Sequence, residues 1–178
     1  MTLGHIHGRF QPFHHEHLDY ADWAAAHCDE LIIGITNADP SHITPEDADP
    51  NRNNPRHNPF LYHERQQMIK AATEESAIEI PIRIMPFPIN RPELWSHYVP
   101  DGAVHFVNVL EDWHEVKVER FRENERPVET KHGTRTMSGT LIRERMATDD
   151  DWEQLVPNAV VAIIDEINGA QRVSEIWD

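Results

Sequence analysis

The first 38 residues constrain this chain most. Residues 3–10 alternate small or apolar side chains with His5 and His7 and read as a strand. Residues 16–26 carry Leu18, Ala21, Ala25 and Ala26 at near-helical spacing. Residues 30–38 hold Leu31, Ile32, Ile33 and Ile35 in a nearly unbroken apolar run, the mark of a strand buried on both faces. Strand, helix and strand this close together form a βαβ unit, whose crossover is right-handed and whose strands are parallel. An α/β fold follows, a Rossmann-like open parallel sheet with helices on both faces. In such sheets ligands bind beyond the carboxyl ends of the strands, where strand order reverses.

The remainder extends the pattern. Residues 62–75 read as a helix, 80–85 as a strand, 92–99 as a short helix with proline in its first turn, and 103–110 as a further strand. Residues 111–131 stay ambiguous, because Val116, Val118 and Phe121 fit a strand edge and a helix equally badly. Ser138 is expected to open a helix, residues 149–151 a short second one, and residues 158–168 a third, ended by Gly169 as a C′ glycine. There are no internal repeats, so residues 1–178 read as one domain with a long proline-rich loop over residues 39–59. That loop, with five prolines and His42, Arg52, Arg56 and His57, is either solvated or a cationic lid over a small acidic ligand.

A formal net charge of −15 argues against a nucleic-acid or anionic-membrane partner. Cys28 stands alone, which excludes an internal disulfide and a cysteine zinc cluster. No long apolar span is present, and a soluble, cytoplasmic protein is expected. Apolar faces near the C-terminus permit a homo-oligomer without requiring one.

The chemistry concentrates at the end of the first strand. Gly8-Arg9-Phe10-Gln11-Pro12-Phe13-His14-His15-Glu16-His17 joins a strand end, a positive side chain and a helix N-terminus, a seat for an anion. His14 and His17, three apart, could be plain polar residues opening a helix or zinc ligands, although no third ligand is evident. Ser138-Gly139-Thr140-Leu141-Ile142-Arg143 repeats the arrangement, with hydroxyls that cap a helix start and can hold a phosphate there.

The first motif resembles the His-x-Gly-His signature of the nucleotidyltransferase superfamily, and the second resembles its Ile-Ser-x-Thr-x-x-Arg. Pro59-Phe60 with Glu64-Arg65, and the tail from Asp151-Trp152 to Gly169, resemble the archaeal-type nicotinamide mononucleotide adenylyltransferase branch. The resemblance implies the nucleotidyltransferase fold and transfer of a nucleoside monophosphate from an NTP, CTP or ATP, with release of pyrophosphate. It implies that Arg9, His14, His17 and Arg143 act on the phosphates, and that Gly8, Phe10, Asn108, Ser138 and Thr140 join them around the nucleotide. Mg²⁺ is implied, held mainly by the triphosphate rather than by protein ligands. Arg56, His57, Arg91 and Trp95 are the expected acceptor contacts. Trp95 matches the tryptophan that stacks nicotinamide in that branch, but the aspartate and asparagine that recognise its amide are replaced by Pro88 and Pro92. Val107 replaces a glycine near the base, and Glu16 the glycine of the signature; Glu16 turns to solvent, contacts ribose or helps hold metal. The sequence therefore looks more like phosphonate-pathway relatives that activate a small phosphonate such as phosphonoformate with CTP. The alternatives are the nicotinamide mononucleotide enzyme itself and a nucleotide sensor without turnover.

Overall fold

The computed structural model describes residues 1–42 and 54–177. Five strands, β1 (Leu3–Gly8), β2 (Glu30–Ile35), β3 (Ile82–Pro86), β4 (Val104–Val109) and β5 (Val128–His132), form one parallel sheet in the order β3-β2-β1-β4-β5. Among the described residues six α-helices accompany them: α1 (His15–Ala25), α2 (Tyr62–Glu74), α3 (Asp112–Glu123), α4 (Gly139–Ala147), α5 (Asn158–Glu166) and α6 (Gly169–Trp177). Short 3₁₀ turns lie at Pro40–His42, Pro55–His57, Pro92–His97 and Glu153–Leu155.

Strand order reverses between β1 and β4. Right-handed crossovers then place α1 and α2 on one face and the Pro92–His97 turn with α3 on the other. Two cores result. Ile6, Leu31, Ile33 and Ile35 pack under α1, α2 and the C-terminal helices, while Ile32, Phe87, Trp95, Val107, Val118 and Phe121 fill the α3 face. No helix among the described residues is long and apolar enough to cross a membrane.

Residues 111–131, ambiguous in sequence, divide into α3 and β5. The buried stripe of α3 is His114, Val118 and Phe121, a helical spacing disguised by a polar first member. β5 lies at the sheet edge and half-buries only alternate residues, so its pattern is weak. The short helix expected over 149–151 is instead the turn Glu153–Leu155, since the chain reverses at Asp149 with φ 53°.

Gly169 does not end α5. Asn168 takes the left-handed backbone, φ 52°, and Gly169 begins α6, where a Cβ would stand 2.9 Å from the Phe60 ring. Arg52 and most of the suggested lid over residues 39–59 lie outside the described residues.

Candidate active site

The turn from β1 into α1 is held from behind by groups distant in sequence. Gln11 Nε2 donates to the Phe60 carbonyl at 3.0 Å, and the Phe60 N–H donates back to Gln11 Oε1 at 2.9 Å. Arg65, 1% exposed, donates through Nη1 to the carbonyls of Arg9 and Thr36 at 2.8 Å and through Nη2 to that of Asn37 at 2.7 Å. It thus ties the chain just past β1 to the chain just past β2, and burial lowers its pKa only to about 10, so the charge persists at neutral pH. Its neighbour Glu64 takes a two-toothed ion pair from Arg172 of α6, at 2.7 and 2.9 Å. The Glu64-Arg65 pair is therefore scaffolding for the motif turn.

His14 caps α1 and His17 lies in its first turn, with ring centroids 3.5 Å apart and planes 18° from parallel. The His14 N–H donates to His17 Nδ1 at 3.3 Å, which puts the proton of a neutral His17 ring on Nε2. His14 is buried, and its Nδ1 has no protein partner. Burial, then Arg135 and His15, bring His14 down to about 3; burial, then His14 and Arg135, hold His17 well below the usual histidine range. The pair consists of neutral N–H donors at physiological pH.

Helix α4 arrives from the far end of the chain. Ser138 caps it by accepting the Leu141 N–H at 3.2 Å. Arg143, 2% exposed, donates through Nη1 to the Gln11 carbonyl at 2.6 Å and through Nη2 to Thr140 Oγ1 at 3.1 Å and His57 Nδ1 at 2.9 Å. Its pKa falls to about 10, through burial and then Arg9, and it too remains charged at neutral pH. A Cβ on Gly139 would stand 2.9 Å from the Gln11 carbonyl oxygen, so only glycine admits this close approach.

Gly8, Arg9, Phe10, His14, His17, Asn108, Ser138, Thr140 and Arg143, every residue expected around the nucleotide, line one cleft at the carboxyl ends of β1 and β4. The same cleft is lined by His7, His114, Lys117 and Arg135, which sequence reasoning did not single out. Glu16 is the one carboxylate among the described lining residues, and it is engaged: it accepts the Thr136 N–H at 2.8 Å and the Thr136 hydroxyl at 2.7 Å. Arg9, Lys117, Arg135 and Arg143 face that single carboxylate, so a strongly acidic chain keeps a basic cleft.

The four expected acceptor contacts lie elsewhere. Arg56 is exposed, its guanidinium donating to the Trp177 carbonyl at 3.2 Å and lying 5.8 Å from the ring of that residue. Arg91 is exposed and pairs with Glu93. Trp95 is fully buried, with Nε1 donating to the Pro88 carbonyl at 3.0 Å and its ring 4.8 Å from Phe121. His57 stands behind Arg143 rather than in the cleft lining. None of the four is among the residues lining this cleft: the two arginines have local partners, and Trp95 packs in the core.

The cytidylyltransferase-like family pattern matches residues 5–145. The phosphonoformate cytidylyltransferase of Streptomyces viridochromogenes is 39% identical over 173 residues, covering 96% of this chain and 94% of that protein. The nicotinamide-nucleotide adenylyltransferase of Halobacterium salinarum is 33% identical over 183 residues, 100% of this chain and 94% of that one. Among solved structures, a bifunctional NMN adenylyltransferase/ADP ribose pyrophosphatase from Francisella tularensis, complexed with AMP and a manganese ion, matches with a TM-score of 0.66 at 16% identity. That match covers 98% of this chain but spans about half, 52%, of the bifunctional protein, and it speaks to the fold alone. With the motif residues gathered in one cleft and the family pattern running over most of the sequence, the chain belongs to the cytidylyltransferase-like family and is a nucleotidyltransferase.

Proposed function

We propose that this enzyme transfers a cytidylyl group from CTP to a small phosphonate or phosphate acceptor, such as phosphonoformate, and releases pyrophosphate. The observation that carries the reading is the convergence of Arg9, His14, His17 and Arg143 on one cleft from opposite ends of the chain. An acceptor oxygen forms a bond to the α-phosphorus as the bond to pyrophosphate breaks. A phosphonate dianion brings no proton to remove, so the site needs donors rather than a base. Neutral His14 and His17 supply N–H groups, and Arg9 and Arg143 supply charge, toward oxygens on which negative charge grows.

The described residues contain no group of three or more His, Cys, Asp or Glu side chains placed to hold a metal ion. With Glu16 bound to Thr136, this donor set suits Mg²⁺ carried in on the triphosphate, with Arg9 and Arg143 beside it. Bound there, the cation neutralises phosphate oxygens.

Preference for the smaller base is supported by Val107, 2% exposed, which lines the cleft with a β-branched side chain. The relatives named as nicotinamide-nucleotide adenylyltransferases favour a second reading, ATP with nicotinamide mononucleotide. Against it stands Trp95, enclosed in the core with its N–H already taken by Pro88. Pyrophosphate release is to be measured for four NTPs against nicotinamide mononucleotide and a panel of small phosphates and phosphonates. Turnover with CTP and a phosphonate is expected; turnover with ATP and nicotinamide mononucleotide alone overturns the reading, and no turnover with any pair leaves a nucleotide sensor.

A further inference from the structure

His7 is a cleft residue with no part in the chemistry above. It is 6% exposed, and neither ring nitrogen has a hydrogen-bond partner. A buried imidazole left unsatisfied is destabilising, and a ligand able to hydrogen-bond it removes that cost. His7 belongs to the α3 face, with its ring centroid 5.8 Å from that of Phe87 and 5.5 Å from that of Phe121. The His14–Arg143 group is built instead on α1 and α4.

Two groups of α3, an imidazole and an ammonium, accompany His7 in the cleft. His114, also buried, meets the Glu111 backbone through Nδ1, which lies 3.1 Å from its N–H and 3.2 Å from its carbonyl oxygen. Lys117, three residues on, places Nζ 4.1 Å from the Trp113 ring centroid and lines the same cleft. Burial and then Lys117 are the first causes that hold His7 well below the usual histidine range, and the same two lead in lowering His114 to about 3. Glu111, at the start of α3, is occupied by Arg135 at 3.2 Å and by Trp113 Nε1 at 2.6 Å.

We propose that His7, His114 and Lys117 form the acceptor seat of this enzyme and take a compact phosphonate or phosphate dianion. This rests on the nucleotidyl-transfer reading above and gives its acceptor a place. The reaction needs two anions on either side of one α-phosphorus. The α1–α4 group takes the triphosphate, and the α3 group takes the second anion. Phe87 and Phe121 border His7 and limit the depth of the seat, which favours a small acceptor over a nucleotide. Neutral His7 offers one N–H and one lone pair, a match for an anion that also carries a P–OH or hydroxyl.

The test compares Lys117→Met and His7→Val with the unaltered enzyme, by pyrophosphate release with phosphonoformate varied and by calorimetry of CTP alone. Each variant is expected to raise the acceptor KM tenfold or more while the Kd for CTP stays within about twofold. Lys117→Arg, which keeps the charge, should recover part of the loss. Equal weakening of CTP and acceptor would assign these groups to the nucleotide and overturn the seat. An unchanged acceptor KM would overturn it as well, leaving nucleotidyl transfer intact. If the unaltered enzyme accepts no small phosphonate or phosphate at all, both the seat and the acceptor reading fall. Lys117 is only half-buried, so its variants keep the test valid if His7→Val does not fold.

Discussion

The two faces of the sheet are made of different material. Beneath α1, α2 and the C-terminal helices lie aliphatic strand residues such as Ile6, Leu31, Ile33 and Ile35, all 0% exposed. Beneath α3, the strands present His5, His7 and His105 among Phe87, Trp95 and Phe121. His5 Nδ1 and His105 Nδ1 lie 2.8 Å apart, so one donates and the other accepts, and the two rings hold opposite tautomers. The first face is packing that can be argued from transfer free energy alone. The second face carries imidazoles whose neutral state depends on pH.

Acid should separate the two faces with the largest effect. Burial first, then Arg126, brings His105 to about 3; burial also leads in bringing His14 and His114 there. The unfolded chain takes up protons near 6.5 that these folded rings refuse. Stability is therefore full above pH 6.5 and falls as pH drops from there toward 3, by about 1.4 kcal/mol per unit for each such ring. Urea unfolding at pH 7.5 and 5.5 should show a difference of several kcal/mol, and a flat profile would contradict the neutral buried histidines. Replacing His5 and His105 together by Leu and Phe should make the slope shallower, because the pair is removed without orphaning either partner.

A cavity on the other face gives the contrasting result. Ile33→Ala should cost about 2–5 kcal/mol at both pH values, leaving the pH slope unchanged. Arg65→Met strips partners from three carbonyls and should cost roughly 3 kcal/mol or more by the same urea measurement. His17→Ala should lower kcat by about a hundredfold or more while the circular dichroism spectrum is retained. Normal turnover would remove His17 from the transfer step. The smallest effect is expected from Glu16→Ala, about 1 kcal/mol in thermal unfolding, since it frees only the partly exposed Thr136 contacts.

The group of residues that meets in the cleft was legible in the sequence because it comes from two short motifs whose residue types suit one chemistry. A strand end followed by Arg9, His14 and His17, and a helix start carrying Ser138, Thr140 and Arg143, stand out as candidate phosphate contacts, and all six line one cleft. The residues expected at the acceptor did not join that cleft. Arg56, Arg91 and Trp95 have suitable side chains, yet Arg56 bonds to Trp177, Arg91 to Glu93, and Trp95 to Pro88. Helix α3 was hidden because His114 occupies a core position, and α6 because Asn168, not Gly169, makes the turn before it.

The sequence by itself determined the parallel α/β architecture, through the apolar run of β2 and the spacing of α1, and it determined the chemical class, through two motifs about 120 residues apart. Only the tertiary structure decided that Arg65 is a tie between strand ends rather than a ligand contact, that Glu16 is spent on Thr136, and that His7 shares a cleft with Lys117. The physical reason is that local pattern records burial and backbone conformation. Which partner satisfies a charge depends on which segments the sheet order brings within hydrogen-bonding distance.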